Sequence, residues 1–306
     1  MKTHIVSFSG GQTSGYMLRK LMDANQDFDE RFEVVFENTG KEHDSTLEFV
    51  HEVETRWSVP VTWLEYCRVP SASIDPTLVP NDRKRSNLLK QQANNETAHW
   101  FRVVNYATAK RSSDLDTPFD ELLGWAKVLP NVRTRMCSVQ MKVRTRDRYL
   151  RSKGIGKFSA YIGIRKDEEH RKHEIMVNID KYEEPNFPLC DMKVTKQDVD
   201  SFWNSHSFKL NIPNHMGNCN LCFLKAKWKR VAAAKHDPKA AQWWVDWENK
   251  FSTKTYGDGA FFRQGQPYAG ILEEALHPEF NFTEQDEDVA CSCAIGGYRN
   301  NQEQED

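Results

Sequence analysis

An α/β fold built on a doubly wound, mostly parallel sheet, with a smaller and mostly helical C-terminal region, is what the amino-acid order of this chain predicts. Three observations carry that expectation. Short apolar runs in the first third are separated by helix-length amphipathic stretches, as in successive βαβ units. A glycine-containing turn joins the first such run directly to a helical pattern. Beyond about residue 165 the alternation gives way to helical segments rich in tryptophan and lysine.

In chain order, His4-Ile5-Val6-Ser7-Phe8 reads as a strand, followed by a turn at Ser9–Ser14 and a helix marked by Tyr16, Met17, Leu21 and Met22. Phe32 to Phe36 is the second strand, closed by Asn38-Thr39-Gly40, and Leu47, Phe49, Val50 and Val53 mark the helix after it. Val59 to Tyr66 alternates as a third strand despite its proline. From Arg68 to about Trp100, prolines and a charge run at Arg83–Arg85 interrupt every period, which predicts an inserted loop over the sheet's carboxyl edge. Helices are expected near 99–110, at 118–127 and over Arg135 to Arg151, with Phe158 to Ile164 as the last central strand. Further helices are expected at 195–205, at 222–235 opened by a cysteine pair, and at 239–250 around Trp243, Trp244 and Trp247. Two regions result: a nucleotide-binding α/β domain at 1–165 and a cysteine-containing region at 166–306, with an acidic tail from about 283.

Composition narrows the function. The 306 residues carry 42 Lys+Arg against 44 Asp+Glu, so no global polybasic field exists to coat nucleic acid without regard to sequence. No run of eighteen apolar residues occurs, and the N-terminal segment reaches a glycine pair by residue 10, so neither a membrane span nor a secretory signal is expected. A cytoplasmic protein without membrane partners is the expectation. Seven cysteines, an odd number sparse over 306 residues, argue against a disulfide framework and for metal or redox chemistry.

Three segments carry candidate chemistry. Ser7-Phe8-Ser9-Gly10-Gly11-Gln12-Thr13-Ser14 brings backbone N–H groups and a helix N-terminus around one space that suits phosphate. It matches neither a Walker loop nor a dinucleotide turn, and a plain strand-to-helix turn is the alternative. On this reading a valine at Gly10 would fill the anion space. Arg165, just past a strand's carboxyl end, can grip phosphate bidentately or pair with Asp167 or Glu168. Cys219-Asn220-Leu221-Cys222 aims two thiolates at one centre beside Lys225, Lys227, Lys229 and Arg230. Cys137 and the pair Cys291 and Cys293 can complete four thiolates, a set that zinc and a [4Fe–4S] cluster both accept. Cys67 and Cys190 read as small buried hydrophobes. The strip Arg133 to Arg151 could hold a polyanion or be a solvated helix face, and the three tryptophans read as core packing rather than base-stacking platforms.

Several of these segments, in this order, resemble one family. Ser9-Gly10-Gly11-Gln12-Thr13-Ser14 is similar to the SGGxDS loop of the adenine-nucleotide α-hydrolase-like (N-type ATP pyrophosphatase) family, with threonine in place of aspartate. Glu37-Asn38-Thr39-Gly40, Met136-Cys137 followed by Lys142-Val143, Gly163-Ile164-Arg165-Lys166-Asp167-Glu168 and Pro188-Leu189 resemble segments of its phosphoadenosine phosphosulfate (PAPS) reductase branch, from about residue 4 to 225. The resemblance implies a Rossmann-like, HUP-type sheet that binds an adenine nucleotide, ATP or PAPS, with Mg²⁺. It implies nucleotide contacts at Ser7, Ser9, Gly10, Gly11, Gln12, Thr13, Ser14, Glu37, Asn38, Thr39, Gly40, Gly163 and Arg165, with Arg165 and Lys142 as the catalytic pair. It also favours a [4Fe–4S] cluster over Zn²⁺, on Cys137, Cys219, Cys222 and Cys293, with Cys291 as the alternative fourth ligand.

The first expected activity is adenylation of an acceptor oxygen by ATP followed by sulfur transfer. A sulfonucleotide reductase releasing sulfite is the alternative, although the family's terminal Glu-Cys-Gly-Leu-His segment does not occur here. A catalytically idle nucleotide- and metal-binding module of a larger assembly is the third. A sulfur donor protein or small thiol, a nucleic-acid acceptor along Arg133–Arg151, and a homodimer complete the partners considered.

Overall fold

The computed structural model describes residues 3–67, 101–177, 182–213, 216–252 and 261–277. The expected inserted loop at 68–100, Cys291, Cys293 and the acidic tail lie outside the described residues.

A six-stranded sheet has the order β4-β3-β2-β1-β5-β6. Its strands are β1 (His4–Ser7), β2 (Phe32–Asn38), β3 (Val61–Tyr66), β4 (Phe101–Val104), β5 (Phe158–Ile162) and β6 (Glu183–Asn186). All neighbours pair in parallel except β3 and β4, which are antiparallel. Every residue of β2 is buried because the sheet is covered on both faces. The chain steps outward from β1 to β2 and β3, then returns to the other side of β1 for β5 and β6. The strand order therefore reverses at β1 and β5, and the crevice at their carboxyl ends is where an open α/β sheet receives ligands.

One face is covered by α1 (Gln12–Ala24), α3 (Asp44–Arg56) and α8 (Lys196–Asn204), which bury Met17, Leu18, Leu47, Phe49, Val50, Val53 and Trp203 in one cluster. A single-turn α2 (Phe28–Arg31) leads into β2. On the other face lies α5, which runs from Met136–Ser138 through a π-helical turn at Val139–Val143 into Arg144–Ser152. Its Tyr149 and Leu150 pack with Ile5, Val35, Leu64 and Ala160. A third cluster joins α4 (Pro118–Ala126) to α9 (Lys227–His236), α10 (Pro238–Ser252) and α11 (Tyr268–Leu276). Two further helices, α6 (His170–Val177) and α7 (Pro188–Asp191), and a 3-10 turn at Lys166–Glu168 complete the described set.

Several elements differ from expectation. The helix expected near 99–110 is strand β4: Phe101-Arg102-Val103-Val104 lines the edge of β3, and Arg102 Nε donates to buried Glu65 at 2.8 Å. β5 is the last central strand, as expected, but an unexpected edge strand, β6, pairs beyond it. β6 (EEPN) has no apolar run to announce it, and its Pro185 is tolerated at a sheet edge. The helix after the cysteine pair begins at Lys227, leaving both thiols in the preceding loop. The tryptophans are packing residues, as expected, with an addition: Trp243 and Trp247 both donate ring N–H bonds to Asp120, at 2.8 and 2.9 Å. Asp120 also closes the capping box of α4 with Thr117, so one carboxylate starts that helix and pins α10 against it. Among the described residues no helix is long and apolar enough to cross a membrane.

Candidate functional site

The turn after β1 stands at the strand-order reversal. Gly10 is in the left-handed region at φ +74°, and a Cβ there would meet Thr46 Cγ2 at 2.7 Å, with Val50 and Phe36 close behind. Gly10 thus serves the packing beneath the loop. The expectation that a valine there would occupy the anion space is corrected accordingly. Gly11 precedes α1 without a side-chain cap, and no acid lies in the first turn. The N–H groups of Gln12, Thr13 and Ser14 donate to no protein acceptor among the described residues, so a 13-residue helix presents bare donors and its positive end. Ser14 Oγ donates to Gly11 O at 2.9 Å and lies 3.1 Å from Ser9 Oγ, which fixes the loop's own shape. Ser7 Oγ, buried at the end of β1, has no hydrogen-bond partner among the described residues.

The loop after β5 closes on this turn. A Cβ on Gly163 would lie 3.2 Å from Ser14 Cα, so the absence of a side chain lets the two backbones approach. Arg165, 9% exposed, donates from Nη1 to Thr13 Oγ1 at 2.9 Å and from Nε to Asp167 at 3.0 Å, with Glu168 Oε2 3.3 Å from Nη1. The ion pairs expected with Asp167 and Glu168 are present, and they orient the guanidinium so that it also bridges to the loop at Thr13. Buried Cys190 braces the same segment by donating its thiol to the carbonyls of Ile164 and Arg165, each at 3.2 Å, a role its sequence setting does not announce.

The turn after β2 is occupied largely with itself. Asn38 Nδ2 donates to Glu65 Oε1 and to Lys110 O, its Oδ1 accepts from Gly40 N–H, and Thr39 donates from N–H and Oγ1 to Glu42 Oε2. Gly40, at φ +70°, lets Thr117 and Pro118 press against it. Glu37 is buried, and loss of solvent raises its carboxyl to about 7 against the opposing pull of Arg146 and Lys142. Lys142 reaches Glu42, with Nζ 3.7 Å from Oε1.

Lys142 and Glu42 belong to a second feature, a cavity of about 40 Å³ lined also by Cys137, Cys219 and Cys222 and walled by Phe119, Met141 and Trp244. Folding thus brings three of the expected thiols to one space. Burial pushes the Cys137 thiol above its ordinary range. Among the described residues no three His, Cys, Asp or Glu side chains group closely enough to hold a metal ion, so the expected cluster is not formed by them. Lys41, also buried, is held below the ordinary lysine range by desolvation and lies 4.2 Å from the Trp243 ring centroid. Cys67 stands apart, half-buried, its thiol raised to about 11 by burial.

The arginine strip is divided. Arg133, Arg144 and Arg151 are exposed, whereas Arg146 is wholly buried and paired with Asp147 at 3.0 Å and Glu183 at 2.7 Å. Arg146 therefore joins α5 to β6 and is not available to a polyanion.

The cysteine loop and the anion loop touch. Cys219 forms an antiparallel bridge with Glu42, Asn220 N–H donates to Lys41 O at 2.8 Å, and His43 N–H donates to Asn218 O at 2.9 Å. Asn218 Nδ2 in turn donates to Ser9 O at 2.8 Å. Asn218 carries no motif, and nothing in its sequence setting marks it.

The phosphoadenosine phosphosulfate reductase domain model matches residues 3–212, which contain the whole sheet, the anion loop and Arg165. An uncharacterized nin region protein, ORF290, of Escherichia phage lambda is 29% identical over 243 residues, covering 76% of this chain and 70% of the phage protein. The switch-point loops and the extent of the match together place the chain in the phosphoadenosine phosphosulfate reductase domain family.

Proposed function

We propose that the protein is an enzyme that binds an adenine nucleotide at the β1–β5 crevice, with its phosphates over the first turn of α1. The observation that carries this reading is the Arg165–Thr13 bond at the strand-order reversal, beside helix N–H donors and a buried Ser7 hydroxyl that have no protein partner among the described residues. A phosphate there would meet N–H groups from Gln12, Thr13 and Ser14 and a guanidinium that its carboxylate partners already orient. Glu37, Asn38, Thr39 and Gly40 shape the adjacent wall, and Mg²⁺ would accompany the phosphates.

With ATP, the acceptor's oxygen forms a bond to the α-phosphorus and the bond to the bridging oxygen breaks, so pyrophosphate leaves with the electron pair. Preoriented cationic and N–H donors stabilise the charge that develops on that leaving group. A sulfur nucleophile then bonds to the activated carbon, and AMP departs with the acceptor oxygen. The cavity of Cys137, Cys219 and Cys222 is where sulfur would be handled, supplied by a donor protein or small thiol. A metal centre there, [4Fe–4S] or zinc, would take those three thiolates and Cys293 or Cys291, with Lys142 and Lys225 offsetting negative charge. The three thiols line one cavity but do not group closely enough among the described residues to hold an ion as they stand, so a bound metal would have to draw them together; metal analysis of anaerobically purified protein decides between iron, zinc and neither.

The family match supports a second reading, reduction of PAPS. There a thiolate attacks the sulfur, adenosine 3′,5′-bisphosphate leaves, and a second thiol releases sulfite as a disulfide forms. Incubating the protein with ATP or with PAPS and following pyrophosphate, AMP and sulfite separates these readings. Pyrophosphate from ATP is the expected result, and sulfite from PAPS would replace the first reading by the second. Tight binding with no product would make the chain a nucleotide-binding module, and no binding of either nucleotide would overturn the proposal.

A further inference from the structure

We infer that Asn218, which lies beyond the family-matched residues, is a nucleotide-contacting residue whose side-chain amide forms the outer wall of the anion loop and donates to a phosphate oxygen. The inference rests on the nucleotide reading above and adds a residue that no family segment supplies. A Cβ built on Gly11 would lie 3.1 Å from Asn218 Nδ2 and 3.5 Å from its Oδ1, so the amide stands directly over the glycine that opens α1. The bond from Nδ2 to Ser9 O, at 2.8 Å, settles which amide atom faces the loop, because a carbonyl can only accept. That bond uses one of the two amide hydrogens. The other has no acceptor among the described residues, and its nitrogen stands beside Gly11, the residue from which α1 with its bare N–H groups begins.

The position is held from three sides, which a binding group needs in order to be preorganised. His43 N–H fixes the Asn218 carbonyl, Cys219 bridges Glu42, and Asn220 N–H bonds to Lys41 O. Gly217, at φ +59°, makes the turn that delivers it. One short loop thus carries both an anion-loop amide and the first thiol of the cavity.

Titration of the full chain with ATP and with PAPS tests this, using the wild type, Asn218→Ala and Asn218→Asp. A hydrogen bond to a charged group predicts about a 10-fold or greater loss for Asn218→Ala. Asn218→Asp, similar in size but anionic, should lose more, about 100-fold, and its loss should shrink as salt is raised. Wild-type affinity in either variant would overturn the inference. So would equal, salt-independent losses matched by equal drops in melting temperature without ligand, since those would mean that Asn218 only supports the loop. If Asn218→Ala does not fold, Asn218→Ser and Asn218→Asp carry the comparison. Failure of the wild type to bind either nucleotide would remove the nucleotide reading itself, a result distinct from normal binding that ignores Asn218.

Discussion

At the scale of single residues, Arg165 and Glu37 show how burial turns an ordinary charge into a positioned one. Arg165 reads in the sequence as either a phosphate ligand or a surface ion pair; the ion pairs with Asp167 and Glu168 are present, and they hold the guanidinium against Thr13 at the loop where the proposed phosphate would sit. Glu37 has a testable consequence. Its carboxyl titrates near 4.5 when unfolded but is raised to about 7 in the fold, chiefly by burial. The folded chain therefore holds that proton more tightly. Its stabilising contribution is complete below about pH 4.5 and is lost as pH rises through about 7. For Glu37→Gln, which cannot ionise, we predict a flatter dependence of unfolding free energy on pH between 4 and 8, by up to about 3 kcal/mol across the window. Urea titrations at several pH values measure it, and parallel curves for the two proteins would contradict the assignment. Glu248, also raised to about 7, remains in both proteins and adds the same trend to each.

At the scale of elements, the anion loop depends on what its glycines permit. Because a Cβ at Gly10 would strike Thr46 and require a left-handed backbone, we predict that Gly10→Ala costs about 1–3 kcal/mol of stability, read by denaturant unfolding. An alanine variant as stable as the wild type would show that α3 yields freely beneath the loop. The sequence makes β1, β2, β3 and β5 legible since each carries a short apolar or alternating run of the kind a buried strand requires. It hides β4 and β6 because edge strands need no such run: β4 is identified by its pairing with β3, and β6 carries acids that meet Arg146 and Ser159. The π-helical turn in α5 is equally silent in a 3.6-residue pattern. It turns Lys142 toward the thiol cavity while Tyr149 and Leu150 stay in the core.

At the scale of the whole molecule, the candidate site is legible wherever a residue type implies chemistry and illegible where only folding gives a residue its task. Cysteines 137, 219 and 222, far apart in sequence, line one cavity, and their clustering could be expected from the chemistry of thiols. Asn218 and Cys190 acquire their contacts from tertiary packing alone. The same packing makes the family-matched part dependent on the C-terminal helices α9–α11. Phe119, Leu122, Leu123 and Met141 are each no more than 3% exposed, in a cluster shared with Phe223, Val231, Trp244 and Tyr268. Full burial of four such side chains is worth roughly 6–12 kcal/mol, and half of that still rivals the 5–15 kcal/mol by which domains are stable. Asp120 would also lose both tryptophan donors. We therefore predict that a chain ending at Ile212 is insoluble or unfolds without a cooperative transition, whereas the full chain unfolds sharply, as followed by circular dichroism on heating. A soluble 1–212 fragment with one steep transition would mean that α9–α11 form a separable unit, and that the cluster around Phe119 closes adequately without them.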